Sequence, residues 1–244
     1  MSFLNDLNTE QKQAVTHKEG PLLVLAGAGS GKTRVLTYRI AYLINNMRVN
    51  PSNIVAITFT NKAAREMRDR VNLLLPNTKG LLVSTFHSAC MRFLRKDIDK
   101  LGYNRNFIIF DNHDQQVVIK ECLKSLNIDD KRYSPRAVLG FIGRAKDVLQ
   151  TPQKSLDQAK DIRETTMAQL YELYQKRLKE CNALDFDDLI MNTVLLFKQN
   201  PEVLSYYQNR FKYILVDEYQ DTNLAQYELI KMMGEKHRNL CVVG

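Results

Sequence analysis

The segment that most constrains the fold is residues 26–33, which read AGAGSGKT and directly follow the apolar run of residues 21–25. A buried strand that runs into a glycine-rich turn ending in Gly-Lys-Thr is typical of a phosphate-binding loop. The glycines permit backbone angles at which successive N–H groups converge on phosphate oxygens, and the following helix directs its positive end to the same point. Ala26 departs from the strict pattern, which has glycine there. The residues predicted to form this nucleotide site are Ala26, Gly27, Ala28, Gly29, Ser30, Gly31, Lys32 and Thr33.

The last two residues of this loop carry the chemistry that the pattern predicts. Lys32 brings a positive charge to the β- and γ-phosphates, and Thr33 offers a hydroxyl to Mg²⁺. The alternative is an ordinary glycine-rich turn between a strand and a helix, which holds no ligand.

A second apolar run ends in acidic residues that suit the same site. Residues 213–216 read YILV and are followed by Asp217 and Glu218. We predict that Asp217 holds the metal, directly or through a water, and that Glu218 accepts a proton from the attacking water. The alternative is a pair of acids that simply ends a strand.

The order of elements predicts an α/β fold with a parallel sheet that is covered by helices on both faces. Short apolar strands alternate with helical patterns up to about residue 101, and the alternation resumes near residue 213. The long middle segment exceeds a normal crossover, so we predict an inserted, mostly helical domain. The predicted first domain covers residues 1–89 and 210–244, and the insert covers residues 90–209.

Within the insert, the patterns predict several helices and little else. We expect Phe107–Phe110 to be its only strand, as a short edge or linker, and Leu149–Gln158 to be a loose loop. Asn112 or His113 is predicted to cap the helix predicted at Asp114–Leu126.

Composition limits the class of protein. The chain of 244 residues is 44% hydrophobic and 25% charged, which is typical of a soluble globular protein. No apolar stretch is long enough to span a membrane, and the N-terminus lacks the features of a secretory signal. The scattered cysteines predict a reduced, cytoplasmic setting with half-buried thiols. The net charge of +8 suits a polyanionic partner, although many proteins are equally basic.

Further segments make the chain similar to the superfamily 1 DNA helicases of the UvrD/Rep/PcrA family. The acids at 217–218 begin a segment that resembles motif II of that family. The other similar segments occur in family order across the chain, and the resemblance covers its whole length. They are Leu7-Asn8-x-x-Gln11 (the adenine-reading Q motif), Ile57–Ala64 (motif Ia), Ser84–Ser88 (the next DNA-contacting motif), Leu184–Leu189 (a segment of the inserted domain) and Asp217–Asn223 (motif II).

The resemblance implies an RecA-like P-loop domain and a role for each matching residue. Gln11 would read adenine through its amide, Arg34 would reach the phosphates or the base, and Gln220 would sense the γ-phosphate. With Glu218 and Lys32, Gln220 completes the implied catalytic set, and Thr33 and Asp217 hold Mg²⁺. The residues expected to contact DNA are Phe59, Thr60, Asn61, Ser84, Thr85 and His87.

Several of these residues have structural alternatives. Phe59 is also suited to the hydrophobic core, Asn61 to a helix cap, and His87 to an ordinary surface position. Asp185, Asp187 and Asp188 form a carboxylate cluster that resembles a metal site, but acids are also favoured at a helix start by the helix dipole. We favour the helix start.

The resemblance also implies the activity of the whole protein. It is that of an ATP-dependent 3′–5′ helicase or translocase of DNA repair and replication, with ATP and Mg²⁺ as ligands and single-stranded DNA and duplex junctions as partners. In this family a second RecA-like domain supplies arginines to the γ-phosphate. We therefore expect residues 1–244 to be an N-terminal fragment that is largely inactive alone. The alternatives are a nucleotide-dependent single-strand-binding module and the front half of a helicase–nuclease.

Overall fold

The computed structural model describes residues 3–27, 29 and 31–244, and the chain divides into two compact units. The first unit comprises the chain up to Ala89 together with Pro201–Thr222 and Ile230–Gly244. The second unit comprises Cys90–Asn200 and Asn223–Leu229. The chain therefore passes from the first unit into the second after Ala89 and again after Thr222.

The described residues form short strands and longer helices. In chain order, the strands are β1 (Leu22–Val24), β2 (Ile54–Thr58), β3 (Leu82–Thr85), β4 (Ile108–Ile109), β5 (Ala183–Leu184), β6 (Tyr213–Val216) and β7 (Leu240–Val243). The α-helices are α1 (Thr9–Thr16), α2 (Lys32–Asn45), α3 (Asn61–Leu74), α4 (Phe86–Asp97), α5 (Asn112–Ser125), α6 (Pro135–Asp147), α7 (Pro152–Asp157), α8 (Ile162–Glu180), α9 (Phe186–Gln199), α10 (Pro201–Arg210) and α11 (Leu224–Gly234). Short 3₁₀ helices span Phe3–Asp6, Pro51–Asn53, Ile98–Leu101 and Tyr219–Asp221.

The first unit is built on a parallel sheet with the strand order β1-β7-β6-β2-β3. Strand β2 is buried along its whole length, as expected for a central strand of a parallel sheet. Because all neighbours run parallel, the loops that follow β1, β2, β3 and β6 leave from the same edge of the sheet. This arrangement confirms the predicted α/β class and gathers the predicted site residues at the edge where such sheets bind ligands.

The hydrophobic core of the first unit lies between this sheet and its helices. Helix α2 contributes a buried apolar stripe, and helix α3 packs a second stripe against the same strands. The members of this core include Leu36, Ile40, Leu43, Ile54, Met67, Val71, Val83, Leu215 and Val243. This packing holds α2 against the sheet.

The second unit is mainly helical, in agreement with the predicted composition of the middle segment. Its core joins α5, α6 and α8, and the members of this core include Ile119, Cys122, Val138, Ile142, Leu170, Tyr171 and Tyr174. The predicted strand at Phe107–Phe110 is present as β4, but it pairs in parallel with β5, where no strand was predicted.

Two local predictions for the middle segment were wrong. The segment predicted as a loose loop contains α7, because Thr151 caps a helix that has Pro152 in its first turn. Helix α5 is capped by Asp111 rather than by Asn112 or His113. The Asp111 carboxylate accepts hydrogen bonds from the backbone N–H groups of His113 and Asp114.

The burial of the cysteines and the character of the helices can be read from the described residues. Cys90, Cys122 and Cys241 are buried free thiols, whereas Cys181 is exposed and free. Among the residues described, no helix combines the length and apolarity that a membrane crossing requires.

Candidate nucleotide and nucleic-acid sites

The glycine-rich loop adopts the backbone conformation that its glycines permit. Gly29 and Gly31 have φ angles of 77° and 89°, which lie in the left-handed region. A Cβ atom at Gly31 would also lie only 2.9 Å from Nε2 of Gln11. Gly31 occupies the N-cap of α2. The backbone N–H groups of the first turn, which have no acceptor within a helix, therefore come directly after it. Of the other predicted loop residues, Ala26 and Gly27 are described, whereas Ala28 and Ser30 lie outside the described residues.

Lys32 and Thr33 meet the two acids that end β6. Lys32 Nζ lies 3.6 Å from Glu218 Oε2, and the Lys32 side chain is 18% exposed. The Thr33 hydroxyl donates a long hydrogen bond of 3.4 Å to Asp217 Oδ2. The structure therefore brings together the two halves of the predicted site, which the sequence places far apart.

Asp217 provides a buried oxygen ligand next to this loop. Its residue exposure is 3%, and burial, followed by the negative charge of Glu218, raises the pKa of its carboxyl group. A divalent cation at this carboxylate would favour the ionised form, and hydroxyl and carboxylate oxygens are ligands that Mg²⁺ takes. Thr33 and Asp217 could therefore hold a Mg²⁺ ion through their hydroxyl and carboxylate oxygens.

Glu218 stands in an unusual backbone conformation that directs the residues after it. Its φ angle is 50°, in the left-handed region that non-glycine residues adopt only at a cost. Its Oε2 atom accepts a hydrogen bond of 2.6 Å from Nε2 of Gln220. Gln220 also lies beside the end of β7, since a Cβ atom at Gly244 would be 3.0 Å from Oε1 of Gln220. The predicted base and the predicted γ-phosphate sensor are therefore in direct contact.

Gln11 lies beside the loop and takes part in the cap of α1. Its backbone N–H donates to Oδ1 of Asn8, and its Oε1 atom accepts from the Asn8 backbone N–H at 3.3 Å. These two bonds form a capping box. Asn8 is thus the N-cap of α1. The cap holds the Gln11 amide close to Gly31, at the end of the nucleotide loop.

Arg34 has contacts that point to the N-terminal segment. Its Nη2 atom donates a hydrogen bond of 2.7 Å to the backbone carbonyl of Asp6, and its guanidinium lies 5.2 Å from the ring centre of Tyr38. Asp6 ends the 3₁₀ helix before α1, and Tyr38 lies in α2. In this conformation the guanidinium is held by the Asp6 carbonyl and the Tyr38 ring.

Arg39 is a structural residue of this site that the sequence analysis missed. It is 2% exposed, and its Nη1 atom donates to the backbone carbonyls of Ala14, Val15 and His17. Burial lowers the pKa of its guanidinium. The cation therefore holds the C-terminal end of α1 against α2. A cation within the apolar stripe of a predicted helix was the signal that could have revealed it.

The predicted DNA-contacting residues after β2 lie at the surface. Phe59 is half-buried, and its ring meets Phe86 edge to face, with centroids 5.6 Å apart. Thr60 rather than Asn61 caps α3, through a hydrogen bond from the Ala63 N–H, and both Thr60 and Asn61 are exposed. A surface pocket of about 420 Å³ adjoins them and is lined by Asn61, Lys62, Arg65 and Glu66.

The predicted DNA-contacting residues at the end of β3 are less accessible. Ser84 and Thr85 are each 6% exposed. The Thr85 hydroxyl donates to Oγ of Ser88 and accepts from the Ser88 backbone N–H, and the Ser84 hydroxyl donates to the Thr85 carbonyl. His87 is half-buried in the first turn of α4. Phe59, Thr60 and Asn61 therefore present the more open part of this surface.

The carboxylate cluster of the second unit is organised by a lysine. Lys146 Nζ lies 2.6 Å from Asp185 Oδ2 and 2.8 Å from Asp188 Oδ1. Asp185 caps α9 in a capping box with Asp188, as expected for acids at a helix start. No group of three or more His, Cys, Asp or Glu side chains within residues 3–27, 29 and 31–244 is placed to hold a metal ion.

Comparison with known proteins identifies the family of this chain. The UvrD/REP helicase N-terminal domain family matches residues 7–244. The chain is 55% identical over 244 residues to the ATP-dependent DNA helicase PcrA of Staphylococcus aureus (strain Mu50 / ATCC 700699), covering all of this chain and 33% of that protein. It is 54% identical to PcrA of Staphylococcus epidermidis (strain ATCC 12228 / FDA PCI 1200), covering 34% of that protein.

The chain spans about a third of the length of these curated relatives. The match to the family nevertheless extends over nearly every residue of the chain, including all segments that carry the predicted sites. The chain therefore belongs to the UvrD/REP helicase family, whose N-terminal domain it matches.

Proposed function

We propose that this chain is the nucleotide-binding part of an ATP-dependent 3′–5′ DNA helicase or translocase that couples ATP hydrolysis to movement on single-stranded DNA in repair and replication. The observation that supports this most is the approach of Lys32 Nζ to within 3.6 Å of Glu218 Oε2. It joins a phosphate-binding loop to an acid that has the chemistry of a general base. The name of the PcrA relatives supports the choice of DNA as the partner.

In this proposal the chain's own residues bind and orient ATP. The loop N–H groups and the N-terminal end of α2 hold the phosphates, and Lys32 adds a full positive charge. Thr33 and Asp217 would hold Mg²⁺, which neutralises charge on the phosphate oxygens when it is bound. The Gln11 amide, which the Asn8 capping box holds at the loop, would read the adenine edge.

Glu218 would remove the proton from the attacking water. Its carboxylate is 44% exposed and accepts a hydrogen bond from Gln220, so it is both reachable by water and oriented. Gln220 would sense the γ-phosphate, and its side chain would change position when that phosphate is lost. Arg34 would join the nucleotide site only after it leaves the Asp6 carbonyl.

Single-stranded DNA would bind along the edge of the sheet where β2 and β3 end. Phe59 offers a ring on which a base can stack, and Thr60 and Asn61 offer exposed polar groups to the backbone. His87 would add a further polar contact, whereas Ser84 and Thr85 would mainly shape the surface through their internal hydrogen bonds.

The remaining parts of the proposal concern the whole protein. We propose a second RecA-like domain in the same polypeptide, and single-stranded DNA and duplex junctions as partners. The second unit of this chain would be the domain that is inserted into the first RecA-like domain. A cytoplasmic location is proposed from the DNA substrate.

The experiment that tests this function measures ATP hydrolysis by the full-length protein with and without single-stranded DNA. Duplexes with either a 3′ or a 5′ single-stranded tail are then compared as substrates for unwinding. Hydrolysis that rises with DNA, together with unwinding of the 3′-tailed duplex alone, is the expected result. Hydrolysis that ignores DNA would contradict the proposal, and preference for the 5′ tail would contradict its polarity.

A further inference from the structure

The side-chain amide of Asn223 makes two separate hydrogen bonds, one through its oxygen and one through its nitrogen. Its Oδ1 atom accepts a hydrogen bond of 2.9 Å from the backbone N–H of Gln226, and its own backbone N–H donates to Oε1 of Gln226 at 3.1 Å. These bonds cap the start of α11. Its Nδ2 atom is directed elsewhere and donates to Oδ1 of Asp147. The cap needs only the oxygen of this amide, so the nitrogen makes an additional, separate contact.

The acceptor of that contact belongs to a fixed part of the second unit. Asp147 is the last residue of α6 and directly follows Lys146, which is buried completely. Lys146 contacts both Asp185 and Asp188 at the start of α9, and the Tyr174 hydroxyl donates to Asp185 Oδ2 at 2.9 Å.

The α8 helix adds a further contact to the same cluster. Nε2 of Gln175 donates to Oδ1 of Asp188 at 3.0 Å. The buried ionic contacts of Lys146 with Asp185 and Asp188 resist rearrangement, because each partner would lose its counter-charge. The C-terminal end of α6 is thus fixed by contacts to α8 and α9, and Asp147 presents a carboxylate from a rigid base.

Asn223 also lies close in sequence to Glu218 and Gln220 of the candidate nucleotide site. The 3₁₀ turn between Glu218 and Thr222 is closed by hydrogen bonds from the Asp221 N–H to the Glu218 carbonyl and from the Thr222 N–H and hydroxyl to the Tyr219 carbonyl. This turn carries Gln220. Asn223 is the next residue after this turn, so a movement of the turn must also move the backbone of Asn223.

We propose that Asn223 is a positioning residue that, through its hydrogen bond to Asp147, couples the state of Glu218 and Gln220 to the helical second unit. This inference rests on the proposed function, because it gives a task to that bond in a DNA-stimulated motor. A shift of the 3₁₀ turn pulls on the start of α11. The bond to Asp147 holds the start of α11 to the fixed end of α6, so the second unit resists or follows that shift.

The chemistry of the pair provides variants that separate this task from simple capping. Asn223→Asp keeps a good N-cap but sets a carboxylate against Asp147. Asp147→Asn keeps an oxygen that accepts from Asn223, so it is the matched control. The double variant, Asn223→Asp with Asp147→Asn, restores the bond with the donor and acceptor exchanged.

The experiment is carried out on the full-length protein and records ATP turnover with and without single-stranded DNA, nucleotide affinity and the thermal midpoint. In Asn223→Asp we expect the stimulation by DNA to fall about tenfold, with unchanged nucleotide affinity and unchanged turnover without DNA. Asp147→Asn should retain most of the stimulation, and the double variant should recover it. Asn223→Ser, which keeps a cap but cannot reach Asp147, should behave as Asn223→Asp and decides the matter if the latter does not fold.

Two results would overturn the inference. One is full stimulation in both Asn223 variants. The other is a double variant that regains the thermal midpoint of the unaltered protein but not the stimulation, because the bond would then have only a structural role. An unaltered protein that shows no stimulation by DNA would instead refute the proposed function itself.

Discussion

The hydroxyl of Thr33 lies 3.4 Å from Oδ2 of Asp217, although 184 positions separate them in the chain. Thr33 stands in the first turn of α2, and Asp217 follows β6. Strand β7 pairs with both β1 and β6 and so sets their spacing in the sheet. The parallel sheet thereby brings the oxygens of two distant sequence patterns together at the start of α2.

Lys32→Ala is expected to weaken nucleotide binding. A charge-assisted contact to phosphate contributes about 1.5–3 kcal/mol, which corresponds to an affinity loss of about 10- to 150-fold. Titration with a fluorescent ATP analogue measures the change. Lys79→Ala, which removes an exposed lysine of the same unit, is the control and should bind as the unaltered protein does. Equal affinities for all three proteins would show that Lys32 does not hold phosphate.

Phe59→Ala is expected to reduce the affinity for single-stranded DNA. Stacking of one base on an aromatic ring is worth about 1–3 kcal/mol, so the affinity should fall about 5- to 150-fold. Phe59→Tyr keeps the ring and should retain binding. Fluorescence anisotropy with a labelled oligonucleotide gives both affinities. If the alanine variant binds DNA as tightly as the tyrosine variant, the ring serves the packing against Phe86 alone.

Lys146→Met is expected to destabilise the protein strongly. It would leave Asp185 and Asp188 buried without their counter-charge, and breaking such a buried pair costs about 3–5 kcal/mol. Thermal and denaturant unfolding followed by circular dichroism measure the loss. Arg105→Met removes the exposed ion pair with Asp99 and should shift the midpoint little. Similar shifts in both variants would mean that the buried cluster contributes no more than a surface pair.

Asp187→Asn is expected to stabilise the protein in a pH-dependent way. Burial, followed by the charge of Asp185, raises the pKa of Asp187 to about 6, while the charge of Lys146 opposes this and that of Asp147 adds to it. A carboxyl group whose pKa is higher in the folded state favours folding below its unfolded pKa. That contribution is lost as the pH rises through about 6.

The variant should therefore gain stability over the unaltered protein as the pH is raised from about 4 to about 8. Unfolding midpoints recorded across this range provide the comparison. A gain that is the same at every pH would show that the Asp187 carboxylate is not destabilised in the folded protein.

The elements that the sequence predicted well depend on neighbouring residues. The strand, glycine-rich turn and helix around residues 22–45 form a local pattern, and the apolar run of residues 213–216 coincides with the observed bounds of β6. By contrast, β5 was missed because two buried residues before a helix carry no periodicity, and only the pairing with β4 makes them a strand. Helix α7 was missed because Pro152, which opens it, was interpreted as a sign of a loop.

The site shows the same division between local and distant contacts. The sequence indicated the loop and the acids separately, but the approach of Lys32 to Glu218 depends on the order of strands in the sheet. Arg39 and Arg34 each find their partners on the segment before β1, which no local pattern specifies. The left-handed conformation of Glu218 was likewise not encoded by a glycine. The roles assigned to these side chains in binding and catalysis stay predictions.

Glu218→Gln tests the central proposal most directly. Glutamine has nearly the same shape and can still accept the hydrogen bond from Gln220, but it cannot take a proton from water. Single-turnover ATP hydrolysis and nucleotide affinity are measured together on the full-length protein with single-stranded DNA. We predict that hydrolysis falls at least about 100-fold while nucleotide affinity stays within about twofold. Hydrolysis near the rate of the unaltered protein would contradict the assignment of Glu218 as the general base of this site.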